Sequence, residues 1–240
     1  VGKIFNVEKK YLLYLSSAVE CIHAYSLIHD DLPCMDDDSM RRGKLSTHKK
    51  FGEATAVLAG NSLLTLAFEI ISNKKNSLSL KHKNEITSLL SNCSGHTGIA
   101  GGQELDLKFE NKDKKLNKIL GMQRKKTGKL FSFCLQSVAI VCNKSKKEKS
   151  SFGKIGEEIG LLFQISDDFL DIKGSRKLVG KPIKRDKKKG KSTLINFMGY
   201  GKASKYANNL KRNILLKLKK HGKVAQDLID TIEFILGRNF

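Results

Sequence analysis

The sequence predicts an all-α protein that forms one domain over residues 1–240, a bundle of long antiparallel helices. Three observations support this class. Only two prolines, Pro33 and Pro182, interrupt the 240 residues, so most of the chain is free to be helical. Apolar residues recur at the i, i+3, i+4 spacing of one helix face, and no run of alternating apolar and polar residues indicates a strand. With an apolar content of 40%, a chain of this length can bury one substantial core.

The helical spacing is sustained over seven segments of the chain. They are residues 11–29, 54–72, 84–109, 116–142, 151–173, 202–219 and 224–236. Pro33 disfavours the helical conformation at Leu32, so the first helix should end or distort just before it. Residues 174–191 are rich in Gly and Lys and contain Pro182, which predicts a basic loop between helices. A solvated linker is the better explanation for most of its lysines.

Composition favours a small phosphate ligand over a polymer. The formal net charge of +21 comes mainly from scattered lysines, and few aromatic residues are present to stack on bases, so a nucleic-acid binder is the weaker interpretation. No apolar run approaches the roughly 20 residues of a membrane span, and no secretory signal is visible. The five cysteines form no CxxC pair, which predicts reduced thiols, no zinc and a cytoplasmic protein.

Two clusters of aspartates carry the chemistry of this chain. The first contains Asp30, Asp31 and Asp36, and the second contains Asp167, Asp168 and Asp171. Carboxylates packed this closely repel one another unless a cation lies between them. Mg²⁺ prefers carboxylate oxygen and commonly joins one or two carboxylates to a phosphate. The two clusters therefore predict a magnesium site for a diphosphate.

The second cluster has the spacing of one helix face. Asp167 and Asp171 are four residues apart, Asp168 and Asp171 are three apart, and Gln164 lies one turn earlier. We expect Leu162, Phe163 and Ile165 to bury the opposite face. A solvated acidic face would normally include lysines, but residues 161–172 contain no Lys or Arg.

The first cluster lies at the end of the first predicted helix. His23 and Asp30 are seven residues apart and share one face, and the helix dipole disfavours Asp30 and Asp31 at this end unless a cation compensates. Arg41 and Arg42 follow closely, with guanidinium groups suited to phosphate. A two-metal hydrolase would also use such clusters, whereas no P-loop and no serine or cysteine nucleophile pattern is present.

At these residues the chain resembles the trans-prenyl (polyprenyl) diphosphate synthase family, and within it the bacterial enzymes that make a farnesyl product. The resemblance rests on ordered motifs across nearly the whole chain. The motifs are Asp30-Asp31-Leu-Pro-Cys-Met-Asp36, Arg41-Arg42-Gly43, Phe51-Gly52-Glu53, Leu58-Ala59-Gly60, Gly101-Gly102-Gln103-Glu-Leu-Asp106, Lys126-Thr127-Gly128, Phe163-Gln164-Ile-Ser-Asp167-Asp168-Phe-Leu-Asp171 and Gly180-Lys181.

The resemblance implies the isoprenoid synthase fold, in which the two aspartate motifs face each other across a central cavity. It implies a homodimer that condenses isopentenyl diphosphate with allylic diphosphates, with Mg²⁺ as cofactor. Three ions per site are implied, and Mn²⁺ is a possible substitute. No nucleic acid and no membrane span are expected. By this resemblance the metal ligands would come from Asp30, Asp31, Asp36, Asp167, Asp168 and Asp171.

The resemblance also implies the other roles at the site. Arg41, Lys126 and Lys181 would bind the allylic diphosphate, Arg42 and His23 would bind isopentenyl diphosphate, Thr127 and Gln164 would orient polar groups near the cation, and Asp186 and Lys191 would help to close the site. Tyr25, five residues before Asp30, would limit the product to about fifteen carbons. Without the motifs, His23 is better interpreted as a core histidine and Lys126 as a surface lysine, and an ordinary core position is open for Tyr25.

Two departures from the family pattern concern the start of the chain and Asn61. The family normally carries a Gly-Lys-x-Arg-x-Arg-Pro stretch before the first aspartate motif, and this stretch is missing because the chain begins at Val1. We therefore expect a fragment or a degraded copy that lacks its N-terminal helices. Asn61 stands where relatives often have Asp, a change that we expect to be tolerated.

The alternatives to a farnesyl-producing enzyme come from three classes. A geranylgeranyl diphosphate synthase of the same family is the nearest, and Tyr25 argues against it. A terpene cyclase would carry Asn, Ser and Glu in its second metal motif. A non-catalytic partner subunit would tend to lose one aspartate motif, and both are present here.

Overall fold

The computed structural model describes residues 1–112, 114–173 and 191–238, and they form an all-α bundle. One small antiparallel hairpin joins the helices, with strands β1 (Met40–Arg41) and β2 (Lys44–Leu45). The helices are α1 (Lys9–Asp30), α2 (Thr47–Phe51), α3 (Glu53–Ser72), α4 (Leu80–Ser94), α5 (Ile99–Phe109), α6 (Leu116–Gln123), α7 (Lys129–Val141), α8 (Lys146–Lys173), α9 (Leu194–Met198), α10 (Tyr200–Lys219) and α11 (Gln226–Gly237).

All seven predicted segments are helical, and two of them are divided. The segment 84–109 breaks between α4 and α5, where Gly98 packs against the end of α4. A Cβ atom at Gly98 would lie 1.9 Å from the carbonyl oxygen of Cys93, so only glycine fits this turn. The segment 116–142 contains a π-helical turn, Arg124–Gly128, between α6 and α7. Such turns occur frequently at functional sites.

Helix α8 begins at Lys146, five residues before the predicted start, and a capping box explains the extension. The backbone N–H of Ser145 donates to Glu148 Oε2 at 3.1 Å, and the backbone N–H of Glu148 donates to Ser145 Oγ at 3.2 Å. The pair satisfies backbone donors that the first turn of a helix leaves free. The sequence carries this signal, Ser followed by Glu at the third position, outside the apolar pattern.

The end of α1 at Asp30 confirms the effect predicted for Pro33. The hairpin that follows contradicts the prediction of no strand. Its turn residues Arg42 and Gly43 have φ values of 51° and 76°, the left-handed pair that a tight hairpin requires. Strands of two residues are too short to show an alternating pattern. The hairpin holds Arg41 and Arg42 beside the end of α1.

The core consists of two clusters of buried residues, and α7 contributes side chains to both. One cluster surrounds α8 and includes apolar residues of α9, α10 and α11. The other is built from α1, α3, α4 and α7, with Ile22, Ile86 and Phe133 fully buried. The cavity described below lies where α1, α5, α7 and α8 come together.

Helix α3 is apolar and mostly exposed. By length and composition alone it is the one described helix that could cross a membrane, which qualifies the prediction of no such run. The core helix of a non-membrane protein passes the same test, but only 22% of the apolar window of α3 is buried. Val57, Leu58 and Leu66 are all exposed. The exposed side of α3 is therefore an uncovered apolar face.

Candidate active site

The structure brings both aspartate clusters to one cavity of about 810 Å³. Asp30 lies at the end of α1, and Asp36 lies in the turn that follows it. Asp167, Asp168 and Asp171 face them from α8. Of the three residues expected to bury the opposite side of α8, Leu162 and Ile165 are fully buried, whereas Phe163 lines the cavity.

Asp31 does not line the cavity. Its side chain is 2% exposed and forms an ion pair with Arg41, whose Nε donates to Asp31 Oδ2 at 3.2 Å. Arg41 does line the cavity, and a second carboxylate, Asp38, lies 3.8 Å from its guanidinium group. The structure thus places Asp31 behind Arg41, where it orients the guanidinium, and brings Asp38 to the cavity instead.

Two lysines and three carboxylates form a network of ion pairs that includes Asp36 of the first aspartate cluster. Lys191 Nζ donates to Asp36 Oδ1 at 2.9 Å and to Asp106 Oδ2 at 2.9 Å, and it also lies 2.8 Å from Glu110 Oε1. Lys126 Nζ donates to Asp106 Oδ2 at 2.7 Å. Asp106 was not among the predicted site residues, although it belongs to the motif that begins at Gly101. The network joins α5, the π-helical turn and the segment before α9.

The network sets the charge states of its members. Burial alone would raise the pKa of Asp36 and of Asp106, but the ammonium groups of Lys126 and Lys191 outweigh it and lower both values. Burial alone would lower the pKa of Lys191, but its carboxylate partners outweigh burial and raise it. The pKa of Lys126 is raised in the same way, so Asp36, Asp106, Lys126 and Lys191 are all charged at neutral pH.

Asp30 behaves differently from its neighbours. Burial raises the pKa of its carboxyl to about 6; Lys126 opposes the shift and Asp36 adds to it. The Lys126 ammonium donates to Asp106 rather than to Asp30. Asp30 is thus a half-buried carboxyl whose charge is only partly compensated by the protein, the environment that a bound cation would stabilise.

The π-helical turn aims Lys126 and Thr127 into the cavity. Gly102 of α5 packs directly under it, since a Cβ atom there would lie 2.2 Å from the backbone nitrogen of Lys126. Thr127 Oγ1 donates to Gln164 Oε1 at 2.9 Å, and Gln164 Nε2 donates to Asp168 Oδ1 at 3.0 Å. A chain of hydrogen bonds therefore links the turn to the second aspartate cluster.

Arg238 reaches the second cluster from the end of α11. Its guanidinium donates to Asp167 Oδ1 at 2.5 Å, and its carbon Cζ lies 4.2 Å from the centre of the Phe163 ring. Nothing in the sequence pattern identified Arg238, because it is a single basic residue near the end of a lysine-rich chain. Its contact with Asp167 adds a cation to this wall of the cavity.

His23 and Arg42 lie together at the cavity. An Arg42 guanidinium nitrogen is 3.4 Å from His23 Nε2. Burial lowers the pKa of His23, Glu20 opposes this shift, and Arg42 adds to it. A neutral imidazole accepts the arginine hydrogen bond and leaves the guanidinium charge available to a further anion.

Tyr25 lies outside the cavity lining. It is buried in the core cluster of α1 and α3, and its ring contacts His29 edge-on at 5.5 Å. Two further predicted residues, Lys181 and Asp186, lie outside the described residues. The apolar part of the cavity wall includes Val19, Ile99, Leu130 and Cys134. Val19 is eleven residues before Asp30 on α1, a distance of roughly 16 Å along the helix.

The cavity fits a magnesium ion that is shared with a phosphate ligand. Among the described residues, no group of three His, Cys, Asp or Glu side chains is assembled to hold a metal by itself. The aspartates instead line one cavity from α1, the turn after it and α8, and carboxylate oxygen is the donor that Mg²⁺ prefers. An ion held by one or two of them would complete its shell with phosphate and water, which is the usual arrangement for Mg²⁺.

The fold and this cavity agree with the comparisons to known proteins. The family model described as polyprenyl synthetase matches residues 1–232, and the chain belongs to this family. It is similar to the farnesyl diphosphate synthase of Micrococcus luteus, with 40% identity over 92% of this chain and 76% of that protein. It is 40% identical to the farnesyl diphosphate synthase of Escherichia coli (strain K12), over 99% of this chain and 81% of that protein.

Solved structures support the same family. A FPP/GFPP synthase from Zymomonas mobilis superposes with a TM-score of 0.86 at 36% identity, covering 98% of this chain and 79% of that one. A geranyltransferase from Helicobacter pylori, complexed with magnesium and isoprenyl diphosphate, gives a TM-score of 0.85 at 32% identity, covering 98% and 81%. The isoprenoid synthase fold expected from the sequence is confirmed.

Proposed function

We propose that this chain condenses isopentenyl diphosphate with dimethylallyl and then geranyl diphosphate to give farnesyl diphosphate, in a reaction that depends on Mg²⁺. One observation carries the proposal. Aspartates from the end of α1, from the turn after it and from α8 line one cavity, together with arginine and lysine side chains. This pattern of anions and cations complements a metal-bound diphosphate. The farnesyl diphosphate synthases at 40% identity support the same assignment.

Five of the six predicted aspartates line the cavity, which supports their proposed role as metal ligands. Asp30 and Asp36 would act from one wall, and Asp167, Asp168 and Asp171 from the other, whereas Asp31 supports them through Arg41. We propose Mg²⁺, three ions per site, with Mn²⁺ as a substitute. When bound, such ions neutralise negative charge that develops on a departing diphosphate.

The basic residues divide between the two substrates. Arg41 and Lys126 would bind the allylic diphosphate, together with Lys181, which lies outside the described residues. Arg42 would bind isopentenyl diphosphate, oriented by neutral His23. Lys191 would move from its carboxylate partners toward the diphosphate. Preorganised cations of this kind lower the barrier because they stabilise charge that forms in the transition state.

The reaction then follows from this arrangement. The bond between C1 of the allylic substrate and its diphosphate oxygen breaks, and both bonding electrons leave with the diphosphate. The terminal double bond of isopentenyl diphosphate supplies the electron pair for the new carbon–carbon bond to C1. A proton lost from C2 of the isopentenyl unit passes to the departed diphosphate and leaves the new double bond. Thr127 and Gln164 would present polar oxygens near the cation, and Phe163 would present its ring face.

The product assay tests this proposal. The protein is incubated with isopentenyl and dimethylallyl diphosphates, with Mg²⁺ or with EDTA, and products are separated by chain length. We expect a fifteen-carbon product only with Mg²⁺, and none from Asp168→Ala. A twenty-carbon main product would favour a geranylgeranyl diphosphate synthase, the activity named for a relative from Cyanophora paradoxa at 36% identity. No product with Mg²⁺ would refute the proposal.

We also propose a homodimer that uses the exposed face of α3. An apolar face this large is normally covered, and a second copy of the chain offers a self-complementary partner. Sedimentation velocity tests this: Leu58→Lys and Leu66→Lys together should yield monomers, whereas Leu80→Lys, an exposed leucine on α4, should not. A monomeric wild type would overturn the assignment.

The predicted cytoplasmic location is consistent with the five free cysteines and stays a proposal.

A further inference from the structure

Gln123, the last residue of α6, holds an unusual position at the cavity. Its side chain is 3% exposed and lines the cavity next to α8. Its amide nitrogen Nε2 lies 3.4 Å from Asp168 Oδ2. A carboxylate only accepts hydrogen bonds, so the amide nitrogen must face Asp168 and the carbonyl oxygen must point elsewhere. Among the described residues, no donor reaches this buried oxygen.

A second glutamine, Gln164, also donates to Asp168 and shows which hydrogen bond Gln123 lacks. Gln164 donates through Nε2 to the other oxygen of Asp168, and its own carbonyl accepts from Thr127. Two amides therefore hold the Asp168 carboxylate from two sides. The carbonyl oxygen of Gln164 therefore has a donor, Thr127, whereas the carbonyl oxygen of Gln123 has none among the described residues. A buried carbonyl without a donor is unfavourable, and natural proteins keep such groups mainly where they serve a function.

We infer that Gln123 is a positioning residue for Asp168, and that its open carbonyl accepts a hydrogen bond from a water molecule bound to the metal. The inference rests on the proposed function. The hydrocarbon chains of the substrates carry no hydrogen-bond donors, and ionised diphosphate oxygens only accept. Mg²⁺ in phosphate sites usually keeps several waters, and each of them is a strong donor. Groups that orient metal ligands from behind typically change metal affinity 10- to 100-fold when removed.

The test measures metal binding rather than catalysis. The full chain is titrated with Mn²⁺ in the presence of inorganic pyrophosphate, and free Mn²⁺ is followed by electron paramagnetic resonance. We expect Gln123→Met, which keeps the shape but removes donor and acceptor, to weaken Mn²⁺ binding roughly 10-fold or more. Gln123→Glu keeps an acceptor but repels Asp168, and should weaken binding further. The matched control is Gln136→Met on α7, outside the cavity lining, which should bind Mn²⁺ as the wild type does.

Thermal melting separates this role from a purely structural one. In EDTA, Gln123→Met should melt no lower than the wild type, because the variant no longer buries an unpaired carbonyl. With Mn²⁺ and pyrophosphate, its melting temperature should rise less than that of the wild type. Equal Mn²⁺ affinity in Gln123→Met and the wild type, or the same loss of melting temperature with and without metal, would overturn the inference. A wild type that binds no Mn²⁺ with pyrophosphate would instead refute the proposed function. If Gln123→Met does not fold, Gln123→Leu, which also lacks both donor and acceptor, provides the same comparison.

Discussion

Replacing Asp30 by asparagine should stabilise the protein in the absence of metal while weakening its function. The carboxyl of Asp30 is half-buried close to Asp36 and Asp106, and its partial removal from water raises its pKa to about 6. The folded protein therefore prefers the protonated, neutral form. Asparagine has nearly the same shape and is always neutral, so it mimics the form that the fold prefers.

The magnitude and the sign follow from the pKa. In the unfolded chain the carboxyl loses its proton near pH 3.8, and in the folded protein near pH 6. Between these values the folded state binds more protons, so the free energy of unfolding falls as the pH rises. The difference corresponds to about 3 kcal/mol. Asp30→Asn should match the wild type below about pH 4 and exceed it by about 3 kcal/mol above pH 6.

Urea denaturation in EDTA across pH 4–8 measures this difference. For a chain of this size, about 3 kcal/mol should also appear as a rise of roughly 6–12 °C in the melting temperature at pH 7. Asp37→Asn is the control, because its side chain is exposed, and it should not change the pH profile. A gain for Asp30→Asn that is independent of pH, or largest at low pH, would refute the reasoning. The variant should also lose metal-dependent activity, because Asp30 is one of the proposed metal ligands. Functional sites commonly reduce the stability of a protein in this way.

Three further predictions concern residues in the cavity wall or behind it. Lys191→Met removes the ammonium group that donates to Asp36 and Asp106, so the unfolding free energy in EDTA should fall by roughly 3 kcal/mol. Denaturation in Mg²⁺ should recover part of this loss. Gly102→Ala should displace the turn that carries Lys126 and reduce kcat/KM at least 10-fold, whereas Gly121→Ala, which meets no neighbouring atom, should not. Tyr25→Ala should give products longer than fifteen carbons by chromatography, as expected if Tyr25 limits the growing chain. An unchanged product profile would show that Tyr25 does not limit chain length.

Much of the fold was predictable because its helices are long and their apolar spacing is regular. The interruptions were not, because they depend on contacts between helices. Gly98 is required only once α4 and α5 are packed, since the obstructing atom is the carbonyl of Cys93. The π-helical turn leaves the apolar spacing on both sides nearly unchanged. It is held by close contact with Gly102, which lies more than twenty residues away in sequence.

The candidate site was predictable where charges repeat and not where single residues act. The two aspartate clusters were visible because adjacent carboxylates are unfavourable without a cation. Asp106, Gln123 and Arg238 are isolated in sequence, and only the fold brings them to the cavity. The same logic explains Asp31. Sequence spacing places it with the cluster, but the end of α1 turns it toward Arg41 and away from the cavity.

The ion pairs of the cavity predict that Mg²⁺ and diphosphate bind cooperatively. Lys191 pairs with Asp36 and Asp106, and Arg238 pairs with Asp167. A metal ion alone would compete with these cations for the carboxylates, and a diphosphate alone would compete with the carboxylates for the cations. Either ligand by itself would separate the Lys191 ammonium from carboxylate partners that are largely buried, as Lys191 is, and breaking such a pair is strongly unfavourable.

Arriving together, the two ligands exchange partners without this penalty, because the metal takes the carboxylates and the diphosphate takes the lysine and arginine groups. Calorimetric titration should therefore show Mn²⁺ binding at least 10-fold more tightly with pyrophosphate than with chloride as the only anion, after correction for binding of Mn²⁺ to free pyrophosphate. By linkage, Mn²⁺ must tighten pyrophosphate binding by the same factor. Lys191→Met should reduce the factor, because it removes a cation that the exchange displaces. Independent binding of the two ligands would show that these ion pairs do not oppose the metal.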